Sequence, residues 1–389
     1  MNGLIIALCS MLLLAYLGEI SSERTRIPTV ILLLFLGWLT REITELVQIS
    51  IPDLNPVLPL LGTIGLILIV LESSMELKLN RSKVKVVRKS FLMALLPMIL
   101  LTLLLGYVFS WYAMVPFHTG IVNALPFAVI SSSIAIPIAK NISFANREFV
   151  IYESSLSDIL GVLFFNFVLI NDFFNFTSVS LFILQLLLIT LISLFSVMGL
   201  SYLLGRIENH ITYAPIILLV ILIYAVAKAF DLSGLVFILV FGLFLGNIDV
   251  IKRLDIVENL MERIDSERLG LEVIKFKAIT IEATFLVKSL FFLLFGFLME
   301  TSEFMNFQTL PWALGIVAVI YGTRWGFLKI MKLPVSPLIF FSPRGLINIL
   351  LFISIIPALS IYFINNSLMI QVIVISVIAT MIGMIGQKN

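Results

Sequence analysis

The 389-residue chain holds one cysteine, Cys9, and two histidines. A single thiol excludes a disulfide within the chain and any cysteine-based metal site. His118 and His210 sit at the ends of apolar segments on opposite faces, without an acidic partner. A membrane acyltransferase would lack the accessible general base it needs, so no enzymatic activity and no cofactor are expected. Charge is scarce: 12% of residues are charged and the net charge is +2, which gives no nucleic-acid footprint. There is no basic segment before the first apolar run, so Met1 to Ile20 reads as a first span rather than a cleavable signal peptide. No appended soluble domain is expected, and no carbonyl-ring filter motif of a channel occurs.

What is present is apolar. Hydrophobic residues make up 60% of the chain and the mean hydropathy is +1.15. That much apolar surface requires lipid as solvent, and runs of roughly 20 residues match a hydrocarbon core of about 30 Å. Helices, not a barrel, are therefore expected. Thirteen spans can be drawn: 2–20, 27–40, 55–77, 90–112, 118–140, 147–171, 178–204, 212–230, 233–248, 278–300, 308–332, 336–358 and 365–386.

Basic residues support the count. Connections after odd-numbered spans carry twenty of the 25 Lys and Arg, from Arg24 and Arg26 through Lys78–Lys89 and the 249–277 segment to Lys388. The other side holds Arg41, with Lys228 at a span end. The positive-inside rule places the N-terminus outside and the C-terminus in the cytoplasm of a cell membrane. The 249–277 segment reads as a cytoplasmic surface helix joining the two halves.

Two spans carry breakers. Span 5 contains ALPFAVISSSIAIPIAK, with Pro126, Ser131–Ser133 and Pro137; span 12 contains LPVSPLIFFSPRGLIN, with Pro334, Pro337, Pro343 and Gly345. A proline inside a helix removes a donor, and a broken helix is tolerated in a membrane only where it is buried in protein or lines a cavity. Each broken span is the middle of a trio, 4–5–6 and 11–12–13. The trios are seven spans apart, so their topologies are inverted, as expected of secondary transporters. The expected fold is an all-α integral membrane protein with 13 transmembrane helices, inverted repeats and two broken crossing helices.

Six ionisable residues fall inside spans: Glu72, Glu153, Asp158, Lys288, Arg324 and Arg344. In REFVIYESSLSDILGVLFFN (147–166), at about 100° per residue from Glu153, Ser157 lies near ~40°, Gly161 near ~80°, Ser154 near ~100° and Asp158 near ~140°, one polar sector. At ~1.5 Å per residue, Glu153 lies ~9 Å from the inner surface and Asp158 ~16 Å, with Arg324 and Arg344 each ~12 Å deep. Lys288 lies ~15 Å along span 10 and Glu72 ~8 Å deep. Such groups must pair or face water. Glu153 matches both arginines in depth and is their expected partner; a carboxylate so held is a poor proton carrier. Asp158 is a step deeper among serine hydroxyls. It is the group placed to exchange a proton for a small cation. Lys288 has two readings, a strut or a partner for Asp158. Ser131, Ser132 and Ser133 also read as helix-packing hydroxyls.

These residues resemble the monovalent cation/proton antiporter superfamily, in particular its NhaP-like sodium/proton branch. ESSLSD resembles the family's E-S-x-x-N-D motif. LESSMEL in span 3 is similar to its acidic motif, and SLFFLLFGF to its phenylalanine-glycine segment. YGTRWGF and FSPRGLIN resemble its basic eleventh helix and its proline-arginine-glycine motif. The resemblance implies an NhaA-like antiporter fold. It implies Asp158 as the ion-binding aspartate with Ser154 assisting, and Glu153 and Arg324 as a structural pair with Arg344 nearby. It implies Glu72 at the cytoplasmic funnel. It implies a homodimer with helices 1–3 (residues 1–86) and 8–10, preceded by linking helix 7 (173–300), as scaffold. Helices 4–6 (87–172) and 11–13 (301–389) would form a mobile core. The chain departs from the pattern twice. Ser157 stands where Asn or Asp is usual, and Ala135-Ile136-Pro137 where Thr-Asp-Pro is usual, so the site has fewer charged ligands. The expected function is exchange of protons for Na⁺ or Li⁺, with K⁺ as second choice. Asp158, Ser154, Ser157 and carbonyls near Ser133 would form the site. The alternative is a sodium-coupled transporter of another small solute on the same fold.

Overall fold

In the computed structural model, residues 9–18, 20, 29–48, 54, 56–77, 83–139, 142–171, 175–206, 213–229, 234–248, 266–304 and 306–385 are described. Residues 1–8 of the first span, His210, Lys140, Lys388 and positions 249–265 of the joining segment lie outside them. The described residues are helical, without a strand. The long helices are α1 (Cys9–Gly18), α2 (Thr29–Leu46), α3 (Val57–Glu76), α4 (Val84–Ala113), α5 (Phe117–Ala128), α6 (Ser132–Ala139), α7 (Phe144–Ile170), α8 (Phe176–Arg206), α9 (Tyr213–Ala229), α10 (Gly234–Gly246) and α11 (Ser266–Leu298). They continue with a short α12 (Thr301–Phe304), α13 (Leu310–Ile330), a short α14 (Val335–Leu338), α15 (Leu346–Ile353) and α16 (Asn366–Ile385). By length and composition, seven helices are apolar enough to cross a membrane: α3, α4, α5–α6 together, α7, α11, α13 and α16.

Helices α4 and α11 begin well before the spans drawn from the sequence, and α2 extends into the flank of its short span. α2 continues to Leu46, and Arg41 and Glu45 pair at 2.7 Å one turn apart along the added stretch. α11 begins at Ser266, so the end of the expected surface helix is the first turns of the same rod. Both broken spans are interrupted. Span 5 leaves helix at Val129–Ser131, between its two prolines rather than at either one. Span 12 has no helix between α14 and α15, across the stretch that holds Pro343 and Gly345.

The residues cluster into two compact units. The first takes in the described parts of Met1–Thr63, Val86–Gly161 and Leu286–Asn389; the second those of Ile64–Lys85 and Val162–Phe285. In the second unit α10 lies close against α3. A Cβ on Gly246 would fall 2.5 Å from the Met75 carbonyl oxygen, and the Asn247 amide donates to the Leu77 carbonyl at 2.7 Å. Lys277 meets Glu76 at 3.7 Å, and the Tyr213 hydroxyl donates to Glu272.

In the first unit, α2 and α11 meet backbone to backbone. A Cβ on Gly37 would fall 2.2 Å from the Leu293 carbonyl oxygen, and one on Gly296 would fall 2.3 Å from the Leu34 carbonyl oxygen. Small residues let membrane helices approach this closely. In an aromatic cluster of Phe109, Tyr112, Trp312 and Phe363, Tyr112 and Trp312 pack edge to face with centroids 4.7 Å apart, and Trp312 stacks on Phe363 at 4.9 Å. Gly296→Leu is expected to separate α2 from α11 and to destabilise the fold by at least about 3 kcal/mol, the upper range for overpacking. Gly322→Ala, where a Cβ meets nothing within 4 Å, is the control. Thermal unfolding of the detergent-solubilised protein reads the difference.

Candidate functional site

The two breaks face each other. The Ser131 N–H donates to the Pro343 carbonyl at 3.0 Å, a direct backbone bond from one interruption to the other. A Cβ on Gly345 would sit 2.6 Å from the Ser131 hydroxyl, so any larger residue there would have to displace the Ser131 side chain. α7 lies on the same crossing, and its Gly161 packs against Val129.

Each freed half-helix end has its own partner. At the C-terminal end of α5, Arg344 Nε donates to the Phe127 carbonyl at 2.6 Å, and Nη2 reaches the Ala128 carbonyl at 3.5 Å. Arg344 Nη1 donates to the Ser342 carbonyl and hydroxyl, at 2.9 and 3.0 Å. Below the other break, Arg324 Nε donates to the Leu338 carbonyl of α14 at 2.7 Å. Cationic groups at helix C-termini oppose the negative end of the helix dipole. At the N-terminal end of α6, the Ser132 N–H donates to Asp158 Oδ2 at 3.2 Å. An anion is favoured there. The Ser132 hydroxyl also bonds Asp158. Next to it the Ile130 N–H donates to Ser157 Oγ at 2.9 Å.

The sequence-derived residues divide accordingly. Glu153 and Arg324 form a bidentate pair, 2.7 and 2.8 Å, both buried. Arg344 does not join it: its five hydrogen bonds run to carbonyl and hydroxyl oxygens of the breaks and, through its backbone N–H, to Ser376 Oγ. The depth match that placed Arg344 with Glu153 ignored the carbonyls that a broken helix sets free. Asp158 is 2% exposed, and its Oδ1 accepts no hydrogen bond among the described residues. Ser154 is buried nearby but turns its hydroxyl onto the Val150 carbonyl of its own helix, 2.8 Å. Ser133 is partly exposed and shares a hydrogen bond with Ser131 Oγ at 2.9 Å. Lys288 is half-buried on α11 and makes no ion pair with Asp158 among the described residues. Glu72 is half-buried on α3, in the second unit.

The sequence marks Ser132 only as a helix-packing hydroxyl and gives Ser376 and Asn348 no role. Ser132 is the first residue of α6, and a serine run after an interruption is a helix-start signal. Asn348 and Ser376 gave no signal, because their partners are distant in the chain.

A membrane-embedded helical protein with two interrupted helices crossing beside two buried carboxylates, one of them paired with an arginine, belongs to the structural class of secondary transporters. The model of the family described as "Sodium/hydrogen exchanger, transmembrane" matches residues 9–387, and the chain belongs to that family. Its fold is similar to that of the sodium proton antiporter MjNhaP1 from Methanocaldococcus jannaschii. A structure of that protein at pH 8 aligns with 20% identity over 98% of this chain and 96% of the other, TM-score 0.65. An electron-microscopy structure of it aligns with 18% identity over 98% and 95%, TM-score 0.70. No curated protein sequence matches the chain.

Glu153→Gln leaves the buried Arg324 charge without its partner, and Arg324→Met does the converse. Each is expected to cost about 3–5 kcal/mol. The double variant is expected to be more stable than either single one, read as a double-mutant cycle by thermal unfolding.

Proposed function

We propose that the chain is a secondary active transporter that exchanges protons for a monovalent cation by alternating access. Proton and cation compete for Asp158. The carrying observation is that carboxylate: fully buried, held by one oxygen at the start of α6, with its second oxygen free of donors among the described residues. Family membership supplies the class of reaction.

Among the described residues no three His, Cys, Asp or Glu side chains gather as a metal site. A single carboxylate with hydroxyls and carbonyls suits a hard monovalent cation, not a transition metal, which prefers nitrogen or sulfur. Na⁺ or Li⁺ is the preferred cargo, K⁺ the next. Ser157 and Ser132 hold the break against Asp158. Ser154, one turn before Asp158 on α7, and Ser133, next to Ser132 on α6, contribute oxygens when the cation enters. Glu153 with Arg324, and Arg344, balance charge around the crossing without carrying the proton. Glu72 and Lys288 have accessory roles along the path. Thirteen crossings with the N-terminus outside and the C-terminus cytoplasmic, an inverted repeat of spans 4–6 and 11–13, and a homodimer in the cell membrane complete the proposal.

The cycle follows from the chemistry. Facing one side, Asp158 releases its proton and takes the cation; facing the other, it reverses the exchange. One carboxylate, with arginine rather than lysine on α13, makes the exchange one for one and electroneutral. Asp158→Asn is expected to abolish cation-dependent dissipation of a proton gradient in everted vesicles, for Li⁺, Na⁺ and K⁺ alike. Full activity in that variant would end the proposal. Na⁺ binding by the unaltered protein without proton movement would transfer the site to a sodium-coupled transporter of another solute.

A further inference from the structure

Asn348 lies in the third position of α15, 0% exposed. Its carboxamide uses all its donors on the other broken span. Nδ2 donates to the Pro126 carbonyl at 2.6 Å and to the Val129 carbonyl at 2.8 Å, 222 and 219 residues away in the chain. Its Oδ1 accepts the Gly345 N–H at 2.6 Å. One neutral side chain thus joins the carbonyl end of α5 to the N–H end of α15. No other standard side chain of that length offers two donors and an acceptor.

What it grips matters. Val129 opens the span-5 interruption. The next residue, Ile130, gives its N–H to Ser157, and two residues further Ser132 gives its N–H to Asp158. Ser131, between them, is bonded to Pro343. Three consecutive peptide units are therefore held from two sides, by α7 and by span 12. Asn348 supplies a side-chain hydrogen bond from span 12 to Val129, the residue that opens the interruption.

We propose that Asn348 is a positioning residue of the cation site. It fixes the register of residues 129–132, and through them the orientation of Asp158 and Ser157. It also occupies two carbonyls that would otherwise be open to a cation. The proposal deepens the exchange reading and rests on Asp158 being the cation ligand.

The test uses the full-length protein in detergent and in proteoliposomes, with Na⁺ and Li⁺ as probes. The first readout is the cation concentration giving half of the maximal thermal stabilisation, which needs no proton exchange. In Asn348→Ala that concentration is expected to rise about tenfold for Na⁺, the scale of one lost buried hydrogen bond, and the Li⁺ to Na⁺ ratio is expected to change. Apparent KM should rise by a similar factor with a smaller change in maximal rate. An Asn348→Ala protein that is less stable without cation but has unaltered half-saturation and selectivity would overturn the proposal. The residue would then be a brace only.

Asn348→Asp supplies a second arm, and carries the test if the alanine variant does not fold. The protonated acid keeps one donor for the carbonyls and the anion keeps none. Its half-saturation is therefore expected to approach that of the unaltered protein as pH is lowered. A ratio to the unaltered protein that stays constant across pH would overturn the proposal. If the unaltered protein is stabilised by Na⁺ but exchanges no protons, the exchange reading falls, and the Asn348 proposal is still decided by half-saturation.

Discussion

The structure depends on a constraint set by lipid: every backbone N–H and C=O in a membrane must find a partner. Interrupting one helix frees several of these groups, and this chain interrupts two. The remedy is to bring the interruptions together. Span 5 and span 12 bond backbone to backbone at Ser131 and Pro343. Arg344, Asn348, Arg324 and Asp158 then complete the ends. Three of the charges that looked expensive in the sequence, Arg324, Arg344 and Asp158, are the counterparts of those freed groups.

Two carboxylates five residues apart on α7 take opposite parts because of what the crossing puts opposite them. Glu153 meets a guanidinium that forks onto both its oxygens. Bidentate pairing of this kind is both strong and directional, and Arg324 also reaches the Leu338 carbonyl. The carboxylate is thereby tied into the scaffold of the site. Asp158 meets a peptide N–H and a hydroxyl of Ser132, dipoles in place of a full charge. Dipoles leave the carboxylate open to a second partner.

Much of this was legible in the sequence. The apolar runs gave the helices, the prolines and serines gave the two interruptions, and helical geometry put Glu153 and Asp158 on one polar sector. Three things were not legible. The interruption of span 5 falls at Val129–Ser131 and not at a proline, because it is set by what span 12 and α7 offer to the freed peptides. Arg344 was matched to Glu153 by depth alone, although depth is blind to the direction of a side chain and to competing carbonyl acceptors. Asn348 was silent, since an asparagine in an apolar run carries no periodic signal and its acceptors belong to the other half of the chain. The serine trio was visible, but its roles separate residue by residue: Ser131 holds the crossing, Ser132 the carboxylate, and Ser133 stays partly open.

The bond between Ser131 and Pro343 involves no side-chain atom. Pro343 contributes only a carbonyl, and its missing N–H is irrelevant there. Ser131 contributes only a peptide hydrogen, which every residue except proline possesses. The crossing can therefore persist while the chemistry at position 131 drifts, within the space that Gly345 leaves. A change of side chain at position 131 leaves that backbone bond both its donor and its acceptor.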